Sequence, residues 1–207
     1  GTIQQTGWVL FARCIASSFL FLVGVSLFLA HKDGIRWQGF SKRLAMVAGS
    51  AVLITVASYW FTPATFIFFG ILHAIAVFSV LALPFLRMPW WVSGIAAVAI
   101  IVIEQTVSLD FFNHPAFWWA GLAAVPPISN DYVPLFPWFA PVLLGLMTAK
   151  IMPDNVWSRL SPSTAVSPDQ TGATLTDTAQ KPLVFIGRHS LAFYLIHQPV
   201  LIASLWA

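Results

Sequence analysis

The chain has 207 residues, of which 58% are hydrophobic and only 8% charged, and its mean hydropathy is +0.83. A soluble domain of this size carries about a quarter charged residues, so an ordinary water-soluble globule is excluded and the chain belongs in a lipid bilayer. The formal charge of +3 comes without a basic stripe interleaved with exposed aromatics, so nucleic acid is not its partner.

A bilayer core of ~30 Å needs about 20 apolar residues per helical span at ~1.5 Å each. Six runs satisfy this in chain order: Trp8 to Ala30, Leu44 to Trp60, Thr65 to Leu86, Trp90 to Val107, Val133 to Met152 and Leu183 to Trp206. They are continuous and rich in Leu, Ala, Ile and Gly, whereas membrane strands alternate over short segments. The expected fold is therefore all-α, a polytopic transmembrane bundle of about six spans. The lone Cys14 lies inside the first span, which leaves neither a disulfide framework nor a metal-spaced Cys/His set, so no metal is expected. The chain enters its first helix within seven residues of Gly1, without the basic start of a signal peptide, and reads as a piece whose N-terminal helix is missing.

Loop charge sets orientation, because Lys and Arg are retained on the cytoplasmic side. The first connection holds Lys32, Arg36, Lys42 and Arg43, the third Arg87, and the fifth Arg159 and Lys181, flanked by Lys150 and Arg188. The opposite connections, 61–64 and 108–132, hold Asp110 and Asp131 but no basic residue. Both ends of the chain are therefore expected on the outer side of a plasma membrane, the periplasmic side if the cell is bacterial. Residues 1–207 read as a single transmembrane domain. Within it, 153–181 is a flexible cytoplasmic linker, since Asp154 to Gln180 is too poor in large apolar residues to bury a core. The 108–132 connection differs. Its Phe111, Phe112, Phe117, Trp118 and Trp119 suit a segment at the outer interface or a lid over an entry.

An ionisable group in a span costs about 2.5 to 3.5 kcal/mol at the bilayer centre, so Arg13, His73, Glu104 and His197 each invite a role. With this orientation His73 sits about eight residues, and His197 about nine, from the outer end of its span, while Arg13 sits about five and Glu104 about three. In the last helix Ser190, Tyr194 and His197 fall within about 60° of one another and form a polar stripe. Pro199 frees the carbonyl of Leu195 beside that stripe. Against these readings stand plainer ones: an interhelical hydrogen bond for either His, snorkelling for Arg13, a structural place for Glu104 and positive-inside anchoring for Arg188, His189, Lys42 and Arg43. Phosphate-loop, dinucleotide, zincin and nucleophile-elbow signatures are absent from the sequence.

Three stretches carry a resemblance: Phe69-Gly70-Ile71-Leu72-His73-Ala74-Ile75-Ala76, Asp131-Tyr132-Val133-Pro134-Leu135-Phe136-Pro137-Trp138, and Gly187 to Pro199, which contains Arg188-His189-Ser190 and Tyr194-Leu195-Ile196-His197. Their order and spacing resemble the bacterial membrane proteins related to heparan-alpha-glucosaminide N-acetyltransferase. The first helix, with Phe19-Leu20-Phe21-Leu22-Val23-Gly24, is similar to that family's F-x-F-x-x-G helix. The resemblance implies a bacterial inner-membrane acyltransferase that takes an acetyl group from cytoplasmic acetyl-CoA and passes it to a sugar or glycan amine or hydroxyl outside. It further implies a preceding helix with an Arg-Gly motif and the histidine regarded as catalytic. Neither occurs before Gly7, so the chain is either part of a longer protein or without that residue.

On this reading His197 and His73 are the catalytic candidates, as general base or orienting partner, because a neutral imidazole takes a proton from an amine or hydroxyl near neutral pH. Arg13, Asp131, Tyr194 and Ser190 would hold the acceptor or steady the oxyanion, and Arg188, His189, Lys42 and Arg43 the phosphates of the CoA co-substrate. Arg13, His73 and His197 are expected to meet at one cavity. The competing reading is a transporter or channel-like subunit with a polar path, for which the sequence offers no inverted repeat. A lipid-facing stripe leaves room for a homo-oligomer.

Overall fold

The computed structural model describes residues 2–153 and 156–157, which belong to one compact unit spanning Gly1–Trp157. All six main elements are helical: α1 (Thr2–His31), α2 (Trp37–Phe61), α3 (Ile71–Leu81), α4 (Leu83–Arg87), α5 (Trp90–Thr106) and α6 (Leu135–Ile151). Among the described residues extended pairing is limited to two isolated bridges, Phe69 with Tyr132 and Leu109 with Ala123. The sixth expected span, from Leu183, lies outside the described residues.

Two helices are long and apolar enough to cross a membrane, Val9–His31 and Trp37–Phe61, while α3, α5 and α6 are shorter apolar helices. The α2 window is only 6% buried, so it is not the core helix of a soluble fold. Val52, Leu53, Val56 and Trp60 instead stand exposed along it, a surface that water would not tolerate.

The run from Thr65 to Leu86, expected as one span, is three pieces. Residues 66–70 are non-helical, with α3 starting only at Ile71. Pro84 has no N–H to give the carbonyl of Val80, so the helix breaks after Leu81 and restarts as α4. Pro89 then forces Met88 into an extended conformation and ends α4. Hydropathy measures side chains and does not register these backbone interruptions.

Helix packing centres on α6, whose face of Phe139, Ala140, Val142, Leu143, Leu146 and Ala149 is buried. The α1–α6 crossing is made by two glycines. A Cβ on Gly24 would strike the carbonyl oxygen of Val142 and lie 2.9 Å from the nitrogen of Leu146, and one on Gly145 would strike the carbonyl oxygen of Phe21. Close backbone approach through small residues is how helices associate in lipid, where apolar side chains gain little by leaving the tails. On α5 the small residues Ser93 and Ala97 are fully buried, and a Cβ on Gly94 would lie 2.8 Å from Met147 Sδ of α6. Ser93 is fully buried, and its hydroxyl has no hydrogen-bond partner among the described residues. Ser93→Ala is therefore expected to leave thermal stability unchanged or raise it by up to about 1 kcal/mol; a clear fall in melting temperature in detergent would show that the hydroxyl is satisfied.

The connections define two ends. At one, Lys150 Nζ donates to the carbonyls of Phe85 and Met88, tying the end of α6 to the close of α4. At the other, the 62–70 and 107–134 connections interlock. Asn130 N–H donates to Thr65 O (2.9 Å), Ser129 Oγ to Phe66 O (3.0 Å) and Val133 N–H to Phe69 O (3.0 Å). Among the described residues the first is the basic end of the bundle and the second its acidic end.

Candidate functional site at the two ends of the bundle

The acidic-end site begins with a helix that cannot cap itself. Gly70 is the N-cap of α3 and has no side chain to offer the first-turn N–H groups. Asp131 supplies the acceptor: its Oδ2 takes the N–H of Ile71, 60 residues earlier in the chain, at 2.8 Å. A Cβ at position 70 would press on Asp131 Oδ2 and lie 2.7 Å from Ile67 Cγ2, so any larger residue there must displace those side chains. The Phe69–Tyr132 bridge fixes the register, so the first two stretches singled out in the sequence form a single joint.

His73 occupies the third helical position, where a capping box places its acceptor. Its Nδ1 takes the N–H of Gly70 at 3.3 Å, and its Nε2 meets Thr55 Oγ1 at 3.2 Å. Thr55 gives its single hydroxyl proton to Ile67 O at 2.8 Å. It must therefore accept from the ring, which assigns the Nε2–H tautomer through the hydrogen-bond network. Both ring nitrogens are thus engaged. A proton arriving at Nδ1 would face the Gly70 N–H, so the arrangement suits a fixed, orienting imidazole better than a proton acceptor.

Around this pair the polar side chains at the end of α2 tie down the 62–70 connection. Ser58 Oγ accepts from Ile67 N–H (3.0 Å), and Thr62 Oγ1 accepts from Asn130 Nδ2 (3.1 Å). Tyr132 donates its hydroxyl to Trp118 O at 2.6 Å, while burial pushes its phenol up to about 12 and keeps it a donor. Phe68 packs between the rings of Trp118 and Tyr132. Burial also raises the Asp131 carboxyl above its usual 3.8, the Ile71 N–H pulling partly the other way.

The basic-end site is a cavity of about 300 Å³ between the last turns of α1, the first turns of α2 and the middle of α3. Arg43 lines it, together with Arg36 and His31, over a floor that includes Val23, Leu27, Phe40 and Ile75. Lys42 is exposed and is not among the lining residues.

The candidates named from sequence are thus distributed rather than gathered. His73 and Asp131 belong to one joint, with His73 in the first turn of its helix instead of eight residues deep, because the helix starts late. Arg13 and Glu104 are exposed on α1 and α5, and Arg13 has no hydrogen-bond partner among the described residues. Ser190, Tyr194, His197, Arg188 and His189 lie outside the described residues. Sequence reading passed over Thr55, Ser58 and His31; the first two had a signal, a polar pair one helical turn apart near the end of an apolar run.

Comparison with known proteins gives one family. The family model described as heparan-alpha-glucosaminide N-acetyltransferase, catalytic, matches residues 1–199, nearly the whole chain. No curated protein matches, and no solved structure does.

Proposed function

This chain belongs to the family of heparan-alpha-glucosaminide N-acetyltransferase catalytic domains, an acetyltransferase family, and on that premise we propose that it moves an acetyl group from acetyl-CoA to an amine or hydroxyl of a sugar across a bilayer. The observation that carries this reading is the joint between Phe69–His73 and Asp131–Val133, in which two distant family-like stretches meet through the Ile71–Asp131 and Val133–Phe69 hydrogen bonds. The positive-inside rule puts the basic end in the cytoplasm, where CoA is held, and the acidic joint on the far side, where the acceptor waits. The membrane is then a bacterial inner membrane, with the bilayer and a glycan as partners.

In this scheme the acceptor nitrogen or oxygen attacks the thioester carbonyl, its proton passes to a base, and CoA leaves as the thiol after taking up a proton. His197 is the base and His73 the orienting imidazole, consistent with its two occupied nitrogens. Asp131 and Arg13 hold the acceptor and the developing oxyanion, and Ser190 and Tyr194, which share a polar stripe with His197, help hold the acceptor. Arg43, Lys42, Arg188 and His189 meet the CoA phosphates. The test is acetylation of a sugar amine by the full chain in lipid nanodiscs with labelled acetyl-CoA. His197→Ala is expected to abolish transfer while leaving the size-exclusion profile and melting temperature unchanged. Undiminished turnover in that variant removes His197 from the reaction, and absence of any transfer by the wild type removes the proposal.

A further inference from the structure

The cavity at the basic end has a wall composed unlike the rest of the bundle. Its charged lining residues are Arg36, the N-cap of α2, and Arg43, seven residues on in the same helix, about 10 Å further along the axis. Phe40, on the same face between them, is buried and forms part of the floor. Neither guanidinium has a hydrogen-bond or ion-pair partner among the described residues. The one carboxylate of the α1–α2 connection, Asp33, is exposed and not in the wall. His31 spends its Nδ1–H on the carbonyl of Leu27 at 2.9 Å, which leaves Nε2 as the remaining polar atom of its ring. Two planar cations, unpaired among the described residues and standing above an apolar trough, call for an anion with forked oxygens and an uncharged chain attached to it.

We infer that this cavity binds a phosphate ester carrying a slender chain, with Arg36 and Arg43 on the phosphate oxygens and the chain along the apolar floor. At about 300 Å³ it lies at the small end of ligand pockets, which run from about 300 to 1,000 Å³, so it takes the phosphate and the adjoining chain and not a whole dinucleotide-sized molecule. Two sources supply that chemistry: the phosphopantetheine portion of CoA, and the headgroup and first carbons of an anionic phospholipid. The first source rests on the acetyl-transfer reading above; the phosphate chemistry of the cavity does not.

The test uses the full chain in phosphatidylcholine nanodiscs, in four forms: wild type, R36Q/R43Q, Ala76→Phe, which fills the cavity without altering charge, and Arg87→Gln, a basic-end control outside the wall. Calorimetry reads desulfo-CoA binding, and native mass spectrometry reads retention of added phosphatidylglycerol. At least one of the two phosphate esters is expected to bind the wild type and to weaken about tenfold or more in both R36Q/R43Q and Ala76→Phe, with Arg87→Gln unchanged. Loss confined to desulfo-CoA identifies the donor, and loss confined to phosphatidylglycerol identifies a lipid. If both esters hold their wild-type affinity in the two cavity variants, or neither binds the wild type, the inference is overturned. Should labelled acetyl transfer continue in that event, the acetyl-transfer reading survives without it. Should the wild type transfer no acetyl group yet lose phosphatidylglycerol on substitution, the cavity stands and that reading falls.

Discussion

Valine at Gly145 is expected to cost about 3 kcal/mol or more and to leave little folded protein after detergent extraction. The new Cβ alone, before its two methyls, would strike the carbonyl oxygen of Phe21 and lie 2.9 Å from the carbonyl carbon and 3.2 Å from Cα. These are backbone atoms of a helix, so no rotamer change relieves the contact and α1 must back away from α6. That separation opens the packing around Leu20, Val142, Leu143 and Leu146, all fully buried, and each lost contact adds to the cost. Gly24→Val should do the same from the other side of the crossing, against Val142 and Leu146. Gly49→Ala supplies the contrast. Nothing lies within 4 Å of a Cβ there, so the substitution should be neutral or mildly stabilising through helix propensity. Fluorescence-detected size exclusion after heating reads all three; equal melting points for Gly145→Val and Gly49→Ala would show that α1 and α6 do not cross at these glycines.

The helices carrying that crossing were legible because apolar run length reports directly on what a bilayer accepts. α1, α2, α5 and α6 each overlap the run expected for them. The failure at 65–86 is instructive because Phe66, Phe68 and Phe69 raise hydropathy as effectively in irregular backbone as in helix. What distinguishes the two is where the backbone N–H groups go, and Ile67 and Val133 place theirs on Ser58 and Phe69. No single-sequence pattern announces such long-range partners. The same gap explains the site. Gly70, His73 and Asp131 could each be singled out, one as part of a motif and two as ionisable residues, but that a carboxylate from position 131 arrives against Gly70 and caps α3 is visible only in the fold. Lys150 reads as positive-inside anchoring, yet its ammonium is turned onto the carbonyls closing α4. Charge counting gave its end of the bundle and said nothing about its partner.

Asp131 offers the sharpest separation of structure from chemistry, because asparagine keeps the cap and removes the charge. In Asp131→Asn the amide oxygen still accepts from Ile71, so α3 stays capped; in Asp131→Ala that N–H loses its partner, at about 1 to 2 kcal/mol. If the carboxylate holds the acceptor, both variants should lose acetyl transfer by about a hundredfold, the scale for misplacing a reacting group, while only the alanine variant melts early. The pH dependence has a definite sign. Burial raises the folded carboxyl above 3.8, so the native state keeps a proton that the unfolded chain has already released. Stability attributable to this group therefore falls as pH rises from 3.8 through the raised value, and stays level beyond it. The acid limb of activity should likewise lie above 3.8, since the ionised form is populated only there. Denaturation midpoints and acetylation rates across the acidic range read both effects, and in Asp131→Asn the stability slope should vanish. Full turnover in Asp131→Asn would leave the carboxylate as a helix cap and nothing more, and the acceptor would have to be held elsewhere.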